Sequence, residues 1–157
     1  MAEYDANQEI RDQFKRVFDR FRKTVEAFPE GEWRTGENPY QRPAGLAGHF
    51  LSTVDYYTSG LDAAEFPWQK RLGANWEDPR DEVLPSKEII LDYLEEMNAR
   101  IEKWTQRTDF SAEDELHPYC GRTVLGRAFY LIRHCESHLA ELNLELRRRG
   151  YLGPEWR

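Results

Sequence analysis

The distribution of apolar residues restricts this chain to an all-helical fold. Apolar side chains recur every three to four positions in four long segments, the spacing that places them on one face of an α-helix. The predicted helices cover residues 5–28, 43–59, 86–107 and 122–149. Pro43 suits the first turn of its helix, Ser86 suits an N-cap, and Gly150 can end the last helix in a left-handed conformation. With no convincing strand, the pattern predicts a four-helix bundle.

Length and charge exclude several classes of protein. At 157 residues the chain can bury about 70% of its unfolded surface, and we expect a single domain over residues 1–157. Its net charge of -7 disfavours binding to a nucleic-acid backbone. No apolar run approaches the roughly 20 residues of a membrane span, and the first residues do not resemble a signal peptide. Two cysteines are too few for a disulfide framework, so we expect a cytoplasmic protein.

Three of the four histidines fall on predicted helices. His134 and His138 are four residues apart on the last helix, which brings their Cβ atoms to within roughly 5–6 Å. Both can therefore reach one divalent ion at about 2.0–2.1 Å. His49 lies on the second helix, and all three flank an apolar face. Such a placement fits metal ligands at the mouth of a cleft, and it equally fits ordinary interfacial side chains.

Other candidate motifs are weaker. Glu136 follows His134 by two residues, whereas a zinc protease needs the acid directly next to the first histidine. On the helical wheel Glu136 also points away from His138, which argues against a general base. Asp114-Glu-Leu-His117 lies in a predicted loop and lacks the glutamate of a di-iron motif. We interpret Cys135 as a small core residue in preference to a nucleophile.

The loops carry most of the remaining features. Residues 62–85 form a connection too long for a plain turn, and such loops are usually functional or pack as a unit. His117 and Cys120 are predicted in a surface loop, with a place in a cleft as the alternative. A set of four aromatic residues lies in the connection of residues 62–85 and in the loop of residues 32–42 before the second helix. We expect most of the set to serve loop packing and one or two to cover the metal. They are Trp33, Tyr40, Trp68 and Trp76.

The segments Gly45-Leu-Ala-Gly-His49-Phe-Leu and His134-Cys-Glu-Ser-His138-Leu-Ala-Glu-Leu, set in four helices, resemble the DinB/YfiT-like superfamily. The resemblance implies an up-down-down-up bundle with a long crossover between helices two and three, which residues 62–85 would supply. It also implies that His49, His134 and His138 ligate a divalent metal, often zinc or nickel, with water in the open positions. After His138, many relatives continue with a small or basic residue, glycine and glutamine. This chain has Leu139, Ala140 and Glu141 instead, which leaves its subfamily and substrate open.

The resemblance leads to a prediction of function. Three histidines with an open position match catalytic zinc sites, where a bound water or thiol loses its proton near neutral pH. Characterised relatives are similar to transferases and isomerases that use thiols such as bacillithiol or mycothiol. We therefore expect a metal-dependent thiol S-transferase or isomerase of stress or detoxification, acting on an electrophilic substrate. Candidate anchors for an anionic thiol are Arg42, Arg127 and Arg133.

Two alternatives stay open at this point. The bundle can be a non-catalytic metal-binding or dimeric interaction protein in which the ion serves stability. It can also be a helical scaffold without a metal. In each case dimerisation through exposed helix faces is expected, and we predict a homodimer.

Overall fold

A computed structural model describes residues 5–68, 72, 75–77, 80 and 83–155. It contains the helices α1 (Ala6–Ala27), α2 (Pro43–Ser59), α3 (Lys87–Arg107) and α4 (Val124–Arg148). Two 3-10 turns, Glu30–Glu32 and Pro39–Gln41, lie in the loop before α2. The described part of the chain forms no strand, and one isolated bridge joins Glu113 and Thr123. The prediction of an all-α protein with four helices is confirmed.

Contacts at both ends of α1 set the direction of α3. The side-chain amide of Asn7 donates to the carbonyl of Thr105 at 2.7 Å. At the opposite end of α1, the ammonium group of Lys87 donates to the carbonyl of Phe28. The start of each helix thus lies beside the end of the other, so α1 and α3 are antiparallel.

Contacts along α4 show that it runs parallel to α1. Arg20 of α1 donates to Glu136 at 2.9 Å. Further along both helices, the side-chain amide of Asn143 donates to the hydroxyl of Thr24 at 3.2 Å. The paired residues advance together along the two helices, which only parallel neighbours allow.

The direction of α2 completes an up-down-down-up bundle, as predicted. Tyr57, near the end of α2, packs against Tyr130 in the second turn of α4 with ring centroids 5.3 Å apart, so these helices are antiparallel. Because α2 and α3 are consequently parallel, the chain must return along the whole bundle between them, which explains the long crossover. Part of the predicted crossover lies outside the described residues, namely 69–71, 73–74, 78–79 and 81–82.

The core lies where the four apolar faces meet. Phe21 and Phe50 stack at its centre with ring centroids 4.2 Å apart and planes 15° from parallel. The remaining α1 stripe is buried as predicted, through Ile10, Phe14, Val17, Phe18, Val25 and Phe28. None of the helices in the described ranges is long and apolar enough to cross a membrane.

Helix α2 is buried on nearly all sides. The sequence predicted a single inward stripe, but 14 of its 17 residues are buried, because the crossover and the 3-10 turns cover its outer side. Leu61, an apolar residue just after α2, lies beyond the helix and is exposed. Gly45 and Gly48 permit the close cover, since a Cβ atom would lie 2.7 Å from the carbonyl oxygen of Trp76 or 2.8 Å from Leu72.

The end of α4 holds the loop that leads into α2. The Arg149 guanidinium donates to the carbonyls of Glu32 at 2.6 Å, Thr35 at 2.8 Å and Gln41 at 2.6 Å. Gly150 follows with φ at 87°, the left-handed stop that the sequence predicted. Three satisfied carbonyls, in a loop whose regular structure is limited to two 3-10 turns, make this segment a fixed support for the start of α2.

Candidate metal centre

The three predicted ligands meet between α2 and α4. The ring centroid of His49 lies 5.4 Å from that of His134 and 4.8 Å from that of His138. The two histidines of α4 are 4.4 Å apart. One nitrogen from each ring lies within 4.8 Å of the others. The antiparallel pairing of α2 and α4 brings His49 level with the two histidines that α4 presents one turn apart.

One ring nitrogen of the histidine cluster has no hydrogen-bond partner among the described residues. All three side chains are half-buried, at the edges of the apolar faces as the helical wheels predicted. The Nε2 atom of His134 is buried and has no hydrogen-bond partner among the described residues. An unpaired buried polar atom costs about 1–3 kcal/mol, and coordination to a cation would satisfy it.

The donor set fits a divalent ion. Nitrogens bound to one zinc at about 2.0–2.1 Å in a tetrahedron lie about 3.3 Å apart, compared with at most 4.8 Å here. Coordination would therefore draw these nitrogens together by at most about 1.5 Å. Imidazole suits zinc, nickel, copper and iron, and three ligands leave a tetrahedral position open, as in catalytic zinc sites.

Burial keeps two of the imidazoles neutral. Loss of solvent, and in second place the repulsion from His138 and His134, lowers the pKa of His49 to about 3. Burial and then His138 lower the pKa of His134 to about 4. Both rings therefore carry no charge at neutral pH, and each offers a free nitrogen lone pair to a metal.

A carboxylate that sequence reasoning missed fixes the third ligand. The Nδ1 atom of His138 lies 2.6 Å from a carboxylate oxygen of Glu141. Because a carboxylate only accepts hydrogen bonds, Nδ1 carries a proton, and Nε2 is the nitrogen left to face a metal. Such a partner is typical of metal-ligating histidines. The signal in the sequence was the His-x-x-Glu spacing, which puts both side chains on one side of a helix.

One loop aromatic covers the cluster. The Trp76 ring stacks on His49 with centroids 4.7 Å apart and planes 28° from parallel. Tyr40 meets the edge of Trp76 at 5.2 Å. The other two serve packing, as expected for most of the set: Trp33 is fully buried, and Trp68 contacts Phe66 at 4.8 Å.

The loop before α4 departs from its prediction. His117 is completely buried, so the expectation of a surface loop is wrong for this residue, whereas Cys120 is half-buried. The Arg127 guanidinium donates to Nδ1 of His117 at 3.0 Å and lies 3.2 Å from the carboxylate of Asp114. Burial, and then Arg127, lowers the pKa of His117. The ion pair between Asp114 and Arg127 compensates for the burial of polar groups in this loop. Because Arg127 is engaged in that pair, we no longer consider it a candidate anchor for the thiol.

The two other predicted anchors have different surroundings. Arg42 is buried at the start of α2, where its Nε donates to the carbonyl of Gly36 at 3.3 Å. Arg133 is exposed, and its guanidinium lies 5.6 Å from the ring centre of Tyr130. Tyr130 in turn stacks on His134 with ring centroids 6.2 Å apart. Arg133 therefore lies one aromatic ring away from the histidine cluster.

Two residues next to the histidines belong elsewhere. Cys135 is fully buried in the core, and burial raises the pKa of its thiol, in agreement with a packing role. Glu136 faces α1, where it accepts two hydrogen bonds from Arg20 at 2.9 and 3.0 Å. Neither side chain is directed to the histidine cluster.

A pocket lies beside one of the three histidines. A pocket of about 320 Å³ opens beside His49, between α2 and the crossover. Its volume is near the lower end of the range for small-molecule sites, roughly 300–1,000 Å³. A small ligand thus has room next to His49.

The model of a known protein family matches most of the chain. The model of the DinB superfamily matches residues 13–142. The match begins in α1 and ends in α4, and it includes His49, His134 and His138. No curated protein matches the chain.

Proposed function

Because the chain belongs to the DinB superfamily and gathers three histidines in a half-buried cleft, we propose that it is a metal-dependent enzyme of stress or detoxification. The reaction we propose is thiol S-transfer or a thiol-dependent isomerisation. The observation that carries the proposal is the cluster itself, with its unpartnered His134 nitrogen and an open pocket beside His49.

In this proposal His49, His134 and His138 hold zinc or nickel, and Glu141 keeps the His138 ring in the correct tautomer. A bound zinc or nickel ion lowers the pKa of a thiol that coordinates it, so that thiolate is present near neutral pH. Trp76 covers one face of His49 and shields it from water.

The thiol cofactor we propose is a small anionic thiol such as bacillithiol or mycothiol. Arg133 is the anchor that the surroundings favour, since it is exposed and next to Tyr130. The thiol proton passes to solvent, and the sulfur forms a bond to an electrophilic carbon. In transfer, the leaving group departs with its bonding electron pair; in isomerisation, the sulfur departs again after the substrate has rearranged.

The alternative is a metal-binding or dimeric interaction protein without catalysis. Phe129 and Leu144 on α4 are each 59% exposed, and their spacing places them within about 60° of each other around the helix. Such side chains favour an interface, and a homodimer is compatible with both hypotheses. We also propose that residues 1–157 form one domain and that the protein acts in the cytoplasm.

Elemental analysis of untagged protein tests the proposal. We expect about one equivalent of zinc or nickel in the wild type and none in the His49→Ala/His134→Ala/His138→Ala variant. Transfer from the thiol to an electrophile should then require the loaded wild type. Metal without transfer by any of these thiols favours the structural alternative, and two metal-free samples after reconstitution contradict the metal site.

The single variant His138→Ala separates the three hypotheses. An enzyme should lose both metal and activity. If the ion is structural, the variant should lose the metal and have a lower free energy of unfolding, with no other change. A scaffold without metal should change in neither respect.

A further inference from the structure

One side of α2 carries only small residues next to the pocket beside His49. Gly45 and Gly48 lie on the side of α2 that faces the crossover. Because they have no side chains, Trp76 and Leu72 can approach the helix closely. The next residue on this side is Ser52, whose short side chain also lines the pocket. The crossover therefore packs close to the two glycines, and the pocket lies between it and the side of α2 that carries Gly45, Gly48 and Ser52.

The walls of the pocket are apolar and aromatic. The large apolar and aromatic lining residues are Trp68, Leu72, Trp76 and Leu84, and the polar ones are His49, Ser52 and Asn75. The hydroxyl of Ser52 donates to the carbonyl of Gly48 at 2.9 Å, so its own hydrogen bond is made within the helix. None of the described lining residues is Asp, Glu, Lys or Arg, although such residues make up 32% of the chain.

This lining discriminates between the two reactants of the proposed reaction. A thiol that carries carboxylates would lose hydration against the described lining residues without gaining a charged partner among them, which is unfavourable. A neutral ring gains both from burial, at about 25 cal/mol per Å² of apolar surface, and from stacking against indole rings. The pocket size allows a single ring system or a short chain.

We propose that this pocket binds a neutral aromatic or apolar group of the electrophilic substrate. Trp68 and Trp76 contact that group, and the reactive carbon lies toward His49 at the open end. The identification of the ligand as the electrophile rests on the proposed function. Binding of a neutral aromatic molecule is a property of the pocket alone and does not depend on metal.

The test uses metal-free, full-length protein and two small ligands of similar size. Neutral 4-nitroanisole and anionic 4-nitrobenzoate are each titrated, and quenching of tryptophan fluorescence reports binding. We expect saturable quenching by 4-nitroanisole and at least tenfold weaker binding of 4-nitrobenzoate. Absence of saturable quenching, or equal affinity for the two ligands, overturns the proposal.

Two variants locate the binding, and one serves as a control. Ser52→Leu fills the pocket, and Leu72→Asp places a charge in its wall at a half-buried position that tolerates a polar side chain. Each should weaken 4-nitroanisole binding at least tenfold. Thr58→Leu is the matched control, because the Thr58 hydroxyl also bonds a carbonyl of its own helix, Val54, at 2.7 Å. Wild-type affinity in both pocket variants overturns the proposal even if one of them folds poorly.

Failure of this inference can be separated from failure of the proposed function. If 4-nitroanisole binds and Ser52→Leu abolishes binding while the histidines take up no metal, the pocket stands and the enzyme proposal fails. If one equivalent of metal binds without saturable quenching, the pocket inference fails alone.

Discussion

Glu141 accepts a hydrogen bond of 2.6 Å from Nδ1 of His138, one helical turn beyond the last of the three histidines. The bond fixes which nitrogen of His138 faces the cluster. It also adds a negative charge directly behind one proposed ligand, which makes that imidazole a stronger donor to a cation.

Glu141→Gln should therefore weaken metal binding by about 10–100-fold, because an amide is a weaker acceptor and carries no charge. Competition with a chromophoric chelator measures the affinity. Glu136→Gln is the control, since it removes a carboxylate from the side of α4 that faces Arg20. Nitrogen NMR of the metal-free protein should show the proton of His138 on Nδ1 in the wild type. Equal metal affinity in Glu141→Gln and the wild type would contradict this role.

Metal binding should stabilise the fold, since the donor set is complete only in the folded chain. At a free zinc concentration 100 times the dissociation constant, the free energy of unfolding should rise by about 2.7 kcal/mol. For a chain of this size that corresponds to roughly 5–10 °C in melting temperature. Thermal unfolding with zinc and with chelator measures the shift. His134→Ala should show none, and an equal shift in this variant would place the zinc elsewhere.

Acid should destabilise the metal-free protein through the same histidines. The pKa of His49 is lowered to about 3 and that of His134 to about 4, from an ordinary value of 6.5. Below pH 6.5 the unfolded chain therefore binds protons that the folded chain does not, so stability is full above that pH and falls as the pH drops toward 4. At pH 5 the loss is at most about 2 kcal/mol for each histidine.

Urea unfolding at pH 7.5 and pH 5.0 measures this loss. Since other groups also titrate in that range, the comparison is with His49→Gln/His134→Gln, in which the two imidazoles are absent. The double variant should lose less stability between the two pH values than the wild type does. The same pH dependence in both proteins would contradict the lowered pKa values.

The sequence predicted well what depends on local pattern. The period of the apolar residues, with Pro43 at the start of α2 and Gly150 after α4, placed every helix boundary within two residues. The pair His134 and His138 is likewise set by helical geometry alone. Their meeting with His49 required the antiparallel pairing of α2 and α4, which the family resemblance implied.

Features that depend on contacts distant in sequence could not be predicted. The burial of His117 requires Asp114 in a loop to reach Arg127 on a helix, and nothing in the local sequence shows that pairing. The burial of the outer side of α2 depends on the path of the crossover, which the local sequence does not show. The sequence pattern therefore predicted an amphipathic helix, although most of α2 is buried. The contact of Glu141 with His138 was not predicted for another reason. A polar residue at the edge of a helix is ordinarily solvated.

Removal of one partner from the ion pair formed by Asp114 and Arg127 should strongly destabilise the fold. Both residues are at least nine-tenths buried, and removal of one partner leaves a buried charge without compensation. Asp114→Ala should lower the free energy of unfolding by about 3–5 kcal/mol, measured by urea unfolding at pH 7.5. Asp19→Ala is the control, because Asp19 lies in an exposed pair with Lys23 at 3.3 Å and exposed pairs contribute at most about 1 kcal/mol.

The double variant Asp114→Ala/Arg127→Met separates the charge from the packing. With both charges removed and an apolar chain in place of the guanidinium, much of the lost stability should return, since apolar side chains can replace buried ion pairs at little cost. His117 then loses its partner at Nδ1, so recovery should stop short of the wild type by about 1–3 kcal/mol. Metal binding should be the same in all these variants, because the pair lies outside the histidine cluster. A double variant no more stable than Asp114→Ala would show that the buried charge is not the cause of the loss.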